Sequence, residues 1–199
     1  ESCNPAVFTS AQRNDIDAAR ANLFGMHNRM HDFAYYLGFT ENTWNMQDEN
    51  LQPGGLGNDP EQGNAQAGGI SGGPPAFAAR NNANQITPED GVAPITNMYL
   101  WQPIAGAFYG ACVDGDYDMS VIAHEYGHAV SGRMVAGPTM GVSTPQGMSE
   151  SWSDQLAIEY LYEHGYAPRG SEAYTIGQYV TSDPVAGIRN YNSSRSPLN

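Results

Sequence analysis

The sequence contains no lysine: arginine supplies all eight basic side chains, against 21 acidic ones, for a formal charge of −13 over 199 residues. A surface this acidic repels phosphate backbones and anionic lipid, which excludes nucleic-acid and membrane-surface binding as leading functions. Long apolar runs are missing too; no stretch approaches the ~20 residues that a membrane span requires. No basic segment followed by an apolar one opens the sequence, so any export signal is expected to have been removed already. Cysteine is scarce. Cys3 and Cys112 are too few for a disulfide framework and too distant for a Cys-x-x-Cys motif, which leaves one bridge between them or two buried thiols.

What is present is enough for a core. The apolar fraction is 40%, with 3 Trp, 12 Tyr and 6 Phe, which excludes wholesale disorder. At this length the chain is one domain or a large piece of one. Asn14 to Gly38 reads as a helix, with Asn14 as N-cap and Asp15 and Asp17 in the first turn. Ile16, Ala19, Leu23, Met26, Met30, Phe33 and Leu37 recur there every three or four residues. Gln52 to Ala79 holds eight glycines and four prolines and reads as turns with short strands among them. Asn97 to Trp101 reads as a buried strand. Two further helices are expected at about 118–136 and 146–164, separated by the breakers Gly137, Pro138, Gly141 and Pro145. Trp152, Leu156, Ala157, Tyr160 and Leu161 form the apolar side of the second.

The chemistry lies in His124-Glu125-Tyr126-Gly127-His128. Residues four apart share one helix face about one turn apart, so both imidazoles can reach one ion. Zinc suits neutral imidazole nitrogens at ~2.0–2.1 Å. Glu125 then sits beside the metal, where a general base belongs. Such a match arises by chance in about one chain of this composition in 150, so the histidines alone do not decide the question. A catalytic zinc needs a third protein ligand and one open position. Glu150 lies 22 residues after His128, past a stretch able to reverse the chain. Asp154, one turn further along the same face, can hold the free N–H of a ligand histidine.

Together with Glu150-Ser151-Trp152-Ser153-Asp154, this constellation resembles the thermolysin-type metallopeptidases whose third ligand is glutamate, and most of all the fungalysin family. Asn81-Asn82-Ala83-Asn84, Met98-Tyr99-Leu100-Trp101, Asp114-Gly115-Asp116-Tyr117-Asp118, Asn28-Arg29-Met30-His31-Asp32 and Gly187-Ile188-Arg189-Asn190-Tyr191 are similar too. All fall in family order, across about residues 20 to 199. The resemblance implies one catalytic Zn2+ on His124, His128 and Glu150, with Glu125 as the base and Asp154 behind His124. It implies that Asn82 and Ala83 pair with the substrate backbone as an added strand. It also implies a secreted enzyme, made as a zymogen, that cuts internal bonds of proteins and peptides. In this family a histidine well downstream of the third ligand is expected to donate to the oxyanion. Here only His164 follows His128, too close to Glu150 for that role. Residues 1–199 are therefore expected to form a single zincin catalytic domain, incomplete on its C-terminal side, with the remainder in further sequence or a second chain. Residues 1–117 would carry a helix and the sheet, and 118–199 the zinc-site helices.

The fold class expected is α+β, thermolysin-like: a small, mostly antiparallel sheet between residues about 50 and 110, packed on the zinc helix. The Glu150 helix would lie alongside, the first helix over the outer face, and the cleft between the edge strand and the zinc helix. Several residues have plainer readings. His27 and His31 are also four apart, but no glutamate follows His27, so they read as packing and hydrogen-bonding groups. Asp114, Asp116 and Asp118 alternate like a calcium loop without its glycine or terminal glutamate, so they read as cap carboxylates; Ca2+ has no supporting motif. Trp152, Tyr160 and Tyr162 read as core. Asn192-Ser193-Ser194 is a glycosylation sequon, meaningful only in a eukaryotic secretory pathway. Two other functions stand beside the peptidase: a zinc-bound but catalytically incomplete module that needs a second chain, and a small-substrate hydrolase such as an aminopeptidase. The latter lacks an evident carboxylate cluster to capture a free amine.

Overall fold

The computed structural model describes residues 15–68, 79–103, 112–137, 146–166 and 174–193. Cys3, the Asn14 cap, the Gly72–Pro75 turns and the Pro138–Pro145 break lie outside them. Helix α1 (Ile16–Tyr36) turns Ala19, Leu23, His27, Met30, Phe33 and Ala34 inward, the three-and-four spacing of one face. Asp15 takes the N-cap position without a side-chain capping bond. Leu37, expected on the apolar stripe, is 55% exposed, because the helix stops at Tyr36 and Gly38 turns the chain at φ +108°.

Three short strands form one sheet in the order β1-β3-β2: β1 (Gln62–Asn64), β2 (Ala83–Ile86) and β3 (Ile95–Met98). β1 runs parallel to β3 and β2 antiparallel to it, which leaves β2 at an edge. β4 (Leu100–Trp101) and β5 (Val113–Asp114) make a separate antiparallel pair. The run expected as one strand over 97–101 is thus two, broken at Tyr99, whose carbonyl accepts from Gly115 N–H at 3.1 Å. Thr96 and Met98 alternate into the interior, as period two requires.

The aspartates expected as caps do that work. Asp118, N-cap of α2 (Met119–Ala136), accepts from Ser120 N–H at 3.1 Å, and its other oxygen accepts from Tyr179 and Val180 N–H, each at 3.2 Å, in α4 (Gln178–Thr181). Asp114 accepts from Asp116 N–H at 2.9 Å in the 3-10 turn Gly115–Tyr117, and Asp116 accepts from Gln66 N–H at 2.9 Å. These bonds fix where α2 begins, one turn before His124.

Helix α3 (Gln146–Glu163) crosses α2 at a close contact of small residues. A Cβ placed on Gly127 would meet Ser153 Cα at 2.8 Å, so only glycine allows this approach. Ala123, Ala129 and Ala157 are fully buried around it. Ser153, Ala157 and Tyr160 are the inward positions of α3, whereas Trp152 and Tyr162, expected in the core, are 37% and 58% exposed. Those two lie off the stripe that the crossing selects. α1 packs on α2 and meets the sheet at β1, where Gly63 abuts Leu23.

At the far end of α2, Arg133 is wholly buried and bonds Asp59 at 2.8 Å, Asp90 at 3.3 Å and the carbonyls of Pro88, Val92 and Trp44. Cys112 is disulfide-bonded. Asn192 is buried and its amide donates to Val185 O at 2.8 Å, so the sequon's acceptor nitrogen is engaged in the folded chain. Helices and small sheets packed on one another make this an α+β architecture.

Candidate metal centre

A cleft of about 450 Å³ runs between edge strand β2 and helix α2. Asn82 to Gln85 and Thr87 form one wall; Val121, His124, Glu125 and His128 form the other. Ser149 and Glu150 of α3 close one side, with Ile188 and Arg189.

Three ligand atoms converge there. His124 Nε2 is 3.0 Å from His128 Nε2 and 3.1 Å from Glu150 Oε2, and His128 Nε2 is 3.4 Å from Glu150 Oε1. Ligands at 2.0–2.1 Å around a tetrahedral zinc stand about 3.3 Å apart, so these spacings are those of one coordination sphere. The outer nitrogens explain the orientation. His124 Nδ1 is 2.7 Å from Asp154 Oδ1, and a hydrogen there leaves Nε2 a bare lone pair. His128 Nδ1 is 2.8 Å from Ser149 Oγ. Two lone pairs and a carboxylate facing one point are a donor set that a cation completes. Among the described residues, this is the group of three whose donor atoms all lie within 4.8 Å of one another.

Without a cation the cluster holds protons instead. Burial alone would lower the His124 pKa, but hydrogen bonds to Asp154 and Glu150 outweigh it and push it up to about 9. The His124 hydrogen bond holds Glu150 down at about 2. His128 is pulled down by burial and then by the His124 charge. Glu125 is buried beside the pair and burial pushes it up to about 7. That places a carboxyl poised near neutrality within the cleft wall.

His124, Glu125, His128 and Glu150 thus meet in one cleft, with Asp154 directly behind His124. Asn82, exposed, and Ala83, buried, lie on the opposite wall. Arg189 has a place that residue spacing did not disclose. Its Nε donates to Asp154 Oδ2 at 2.8 Å and its Nη2 to Asp154 Oδ1 at 2.7 Å and Glu150 Oε2 at 3.1 Å. It clamps the two α3 carboxylates from the cleft side; the similarity of its segment was the one available signal. His164 is elsewhere, donating Nδ1–H to Tyr160 O at 2.8 Å and stacked on that ring at 4.1 Å. His27 and His31 line a separate pocket of about 320 Å³ behind α2, with Tyr126 and Glu61.

Comparison with known proteins agrees in kind. The family profile described as Fungalysin metallopeptidase (M36) matches residues 3–198. An Aspergillus fumigatus protein named extracellular metalloproteinase mep is 34% identical over 195 residues, covering 96% of this chain and 28% of its own length. Extracellular metalloproteinase 9 of Uncinocarpus reesii is 35% identical over 187 residues, 90% of this chain and 26% of its own. Extracellular metalloproteinase 4 of Trichophyton soudanense is 34% identical over 184 residues, 90% of this chain and 43% of its own. The chain therefore spans between about a quarter and two fifths of these relatives.

Proposed function

The chain belongs to the fungalysin metallopeptidase family, and we propose that it is the metal-bearing part of a secreted, thermolysin-like zinc endopeptidase. One observation carries this reading: the convergence of His124 Nε2, His128 Nε2 and Glu150 with tetrahedral spacing beside a buried carboxyl. His124, His128 and Glu150 would hold the zinc, with Asp154 fixing the His124 tautomer. Zinc bound there would polarise the scissile carbonyl and acidify an attacking water. Glu125, buried beside the histidine pair, would take the proton of that water on its carboxylate and return it to the leaving amine. The substrate backbone lies along the open edge of β2 at Asn82 and Ala83, so the bond to be cut passes over Glu125. Substrates are then extended or unfolded polypeptides, and the names of the relatives support an extracellular setting. Among the described residues, no helix is long and apolar enough to cross a membrane.

A second reading concerns completeness. Of the five histidines, only His124 and His128 line the cleft, so a histidine donor to the oxyanion would come from outside residues 1–199. On this reading the domain binds zinc but turns over only with the remainder of the enzyme, in sequence or as a second chain.

The test is zinc content together with casein cleavage, on this chain and on a longer form that includes the remainder. Glu125→Gln should keep one zinc per chain and lose about 100- to 10,000-fold in turnover. Unchanged turnover with zinc retained would remove Glu125 as the base, and no zinc in the parent chain would remove the whole reading.

A further inference from the structure

Glu61, immediately before β1, touches both other strands of its sheet. Its Oε1 is 2.7 Å from Thr96 Oγ on β3, and Gln85 Nε2 on β2 is 3.1 and 3.2 Å from its two oxygens. Thr96 Oγ is also 2.5 Å from Gln85 Oε1, which closes a ring of three side chains. Thr96 and Gln85 are direct partners in the β2–β3 register, and Thr96 is wholly buried.

The hydrogens in this ring can be counted. The Thr96 hydroxyl carries one, yet it faces two oxygens. If it donates to Glu61, its contact with Gln85 Oε1 has no proton. If it donates to Gln85, its contact with Glu61 has none. Turning the Gln85 amide over only moves the bare contact to the Gln85–Glu61 side. A carboxylic acid resolves the ring: its O–H donates to Thr96, Thr96 donates to Gln85, and the Gln85 amide donates back to the other carboxyl oxygen.

The surroundings favour the neutral acid. From α2, Arg133 is committed to Asp59 and Asp90, and Tyr126 contributes a neutral phenol. From α1, His27 is kept neutral by burial; His31, Arg20 and Asp48 stand around the same pocket. Burial pushes Glu61 up to about 7, offset only in part by its bonds to Thr96 and Gln85 and by the Arg133 charge.

We propose that Glu61, as a neutral carboxylic acid, is a positioning residue that holds edge strand β2 in the geometry with which a substrate strand pairs. Gln85 stands in the cleft wall, so its side-chain anchor fixes the β2 backbone next to Ala83. Loss of the Glu61 proton removes one bond of the ring and loosens that strand. The inference rests on the reading of β2 as the docking strand.

The test is amide hydrogen exchange across Ala83–Ile86 at about pH 6 and pH 8.5, corrected for intrinsic base catalysis, on the whole chain and on Glu61→Gln and Gln85→Ala. Protection in the parent should fall about tenfold at the higher pH, the worth of one hydrogen bond. In Glu61→Gln the side-chain N–H is present at every pH and the fall should vanish. In Gln85→Ala the side-chain link from Glu61 to β2 is gone, so protection should be lower at both pH values and the fall should vanish. On zinc-loaded enzyme, KM for a peptide should rise over the same range in the parent and not in Glu61→Gln, while the pH profile of kcat stays the same in the two. The same pH step in parent and Glu61→Gln, or no step in the parent, overturns the proposal. If Glu61→Gln does not fold, the parent and Gln85→Ala decide it, and a step in Gln85→Ala as large as the parent's overturns it. The exchange step without peptide hydrolysis by the longer, zinc-loaded form would uphold the ring and sink the peptidase reading instead.

Discussion

Two histidine pairs in this chain share the same spacing on a helix and end as opposites. His124 and His128 on α2 turn their Nε2 atoms to within 3.0 Å of each other, against Glu150, and His124 is pushed up to about 9. His27 and His31 on α1 do not converge. His27 is buried, its Nε2 has no hydrogen-bond partner among the described residues, and burial pulls it down to about 4. His31 turns instead to Asp32 at 3.1 Å and Gln47 at 3.2 Å. Spacing puts two imidazoles on one face; a second element must bring the carboxylates that make them a site. α3 does this for α2 by crossing at Gly127, and no such helix faces His27 among the described residues.

The strongest way to break the contrast is to give the α2 pair the condition of the α1 pair. Glu150→Ala removes the proposed third ligand and leaves the histidines and Asp154 in place. Zinc affinity should fall by more than about 100-fold, beyond the 10- to 100-fold loss typical of outer partners. Competition with a chelator of known affinity measures it, and a retained stoichiometric zinc would mean that Glu150 is not a ligand.

Next in size is the crossing itself. Gly127→Ala drives a methyl into Ser153 Cα, a backbone atom that cannot swing aside. Overpacking of this kind costs about 1–3 kcal/mol, and zinc affinity should fall with it because α3 carries Glu150. Gly25→Ala on α1 is the matched control: nothing stands within 4 Å of its Cβ, so it should stabilise the helix by about 0.5–1 kcal/mol. Urea unfolding of both variants separates the effects. Equal changes in the two would show that α2 and α3 do not depend on the close approach.

This contrast also marks how far the sequence could be read. The three long helices and the grouping of His124, His128, Glu150 and Asp154 were legible from local spacing and a family pattern, and the strand Ala83–Ile86 from the family pattern alone; the short helix α4 was not. The inward face of α3 was not. Trp152 and Tyr162 look like core by residue type, but the crossing at Gly127 turns Ser153, Ala157 and Tyr160 inward instead. Arg189 escaped for the same reason. Its partners Glu150 and Asp154 are more than 30 residues away in sequence, and only the packed chain brings them within 3.1 Å. The Glu61 ring joins three strands and has no sequence period at all.

A smaller effect separates the pairs by pH. In the unfolded chain His27 takes a proton near pH 6.5, while in the folded chain it resists until about 4. The unfolded state therefore binds more protons in this window, and stability falls as pH drops through it, by about 3 kcal/mol at the lower end. His27→Leu should flatten that acid limb in denaturant unfolding of the metal-free chain. His124 has the opposite sign: its protonated form stabilises the metal-free fold below about pH 6.5, and that contribution is lost as pH rises through about 9. An acid limb as steep in His27→Leu as in the parent would remove His27 from this account.

The smallest expected effect tests the contrast most directly. Asn28→Glu would complete a His-Glu-x-x-His run on α1 at residues 27–31. Asn28 is exposed and its one bond is to Phe24 O at 2.7 Å, so the fold should tolerate the change within about 0.5 kcal/mol. The local pattern would then match that of α2, glutamate included. Zinc content should stay at one per chain, because among the described residues the donor atoms of the α1 pair and of the carboxylates in its pocket do not converge on one point, and His27 would have to leave its buried position to reach one. A second zinc bound with comparable affinity would show that the five-residue pattern suffices by itself. The crossing of α2 and α3, and with it the close approach at Gly127, would then be incidental to metal binding.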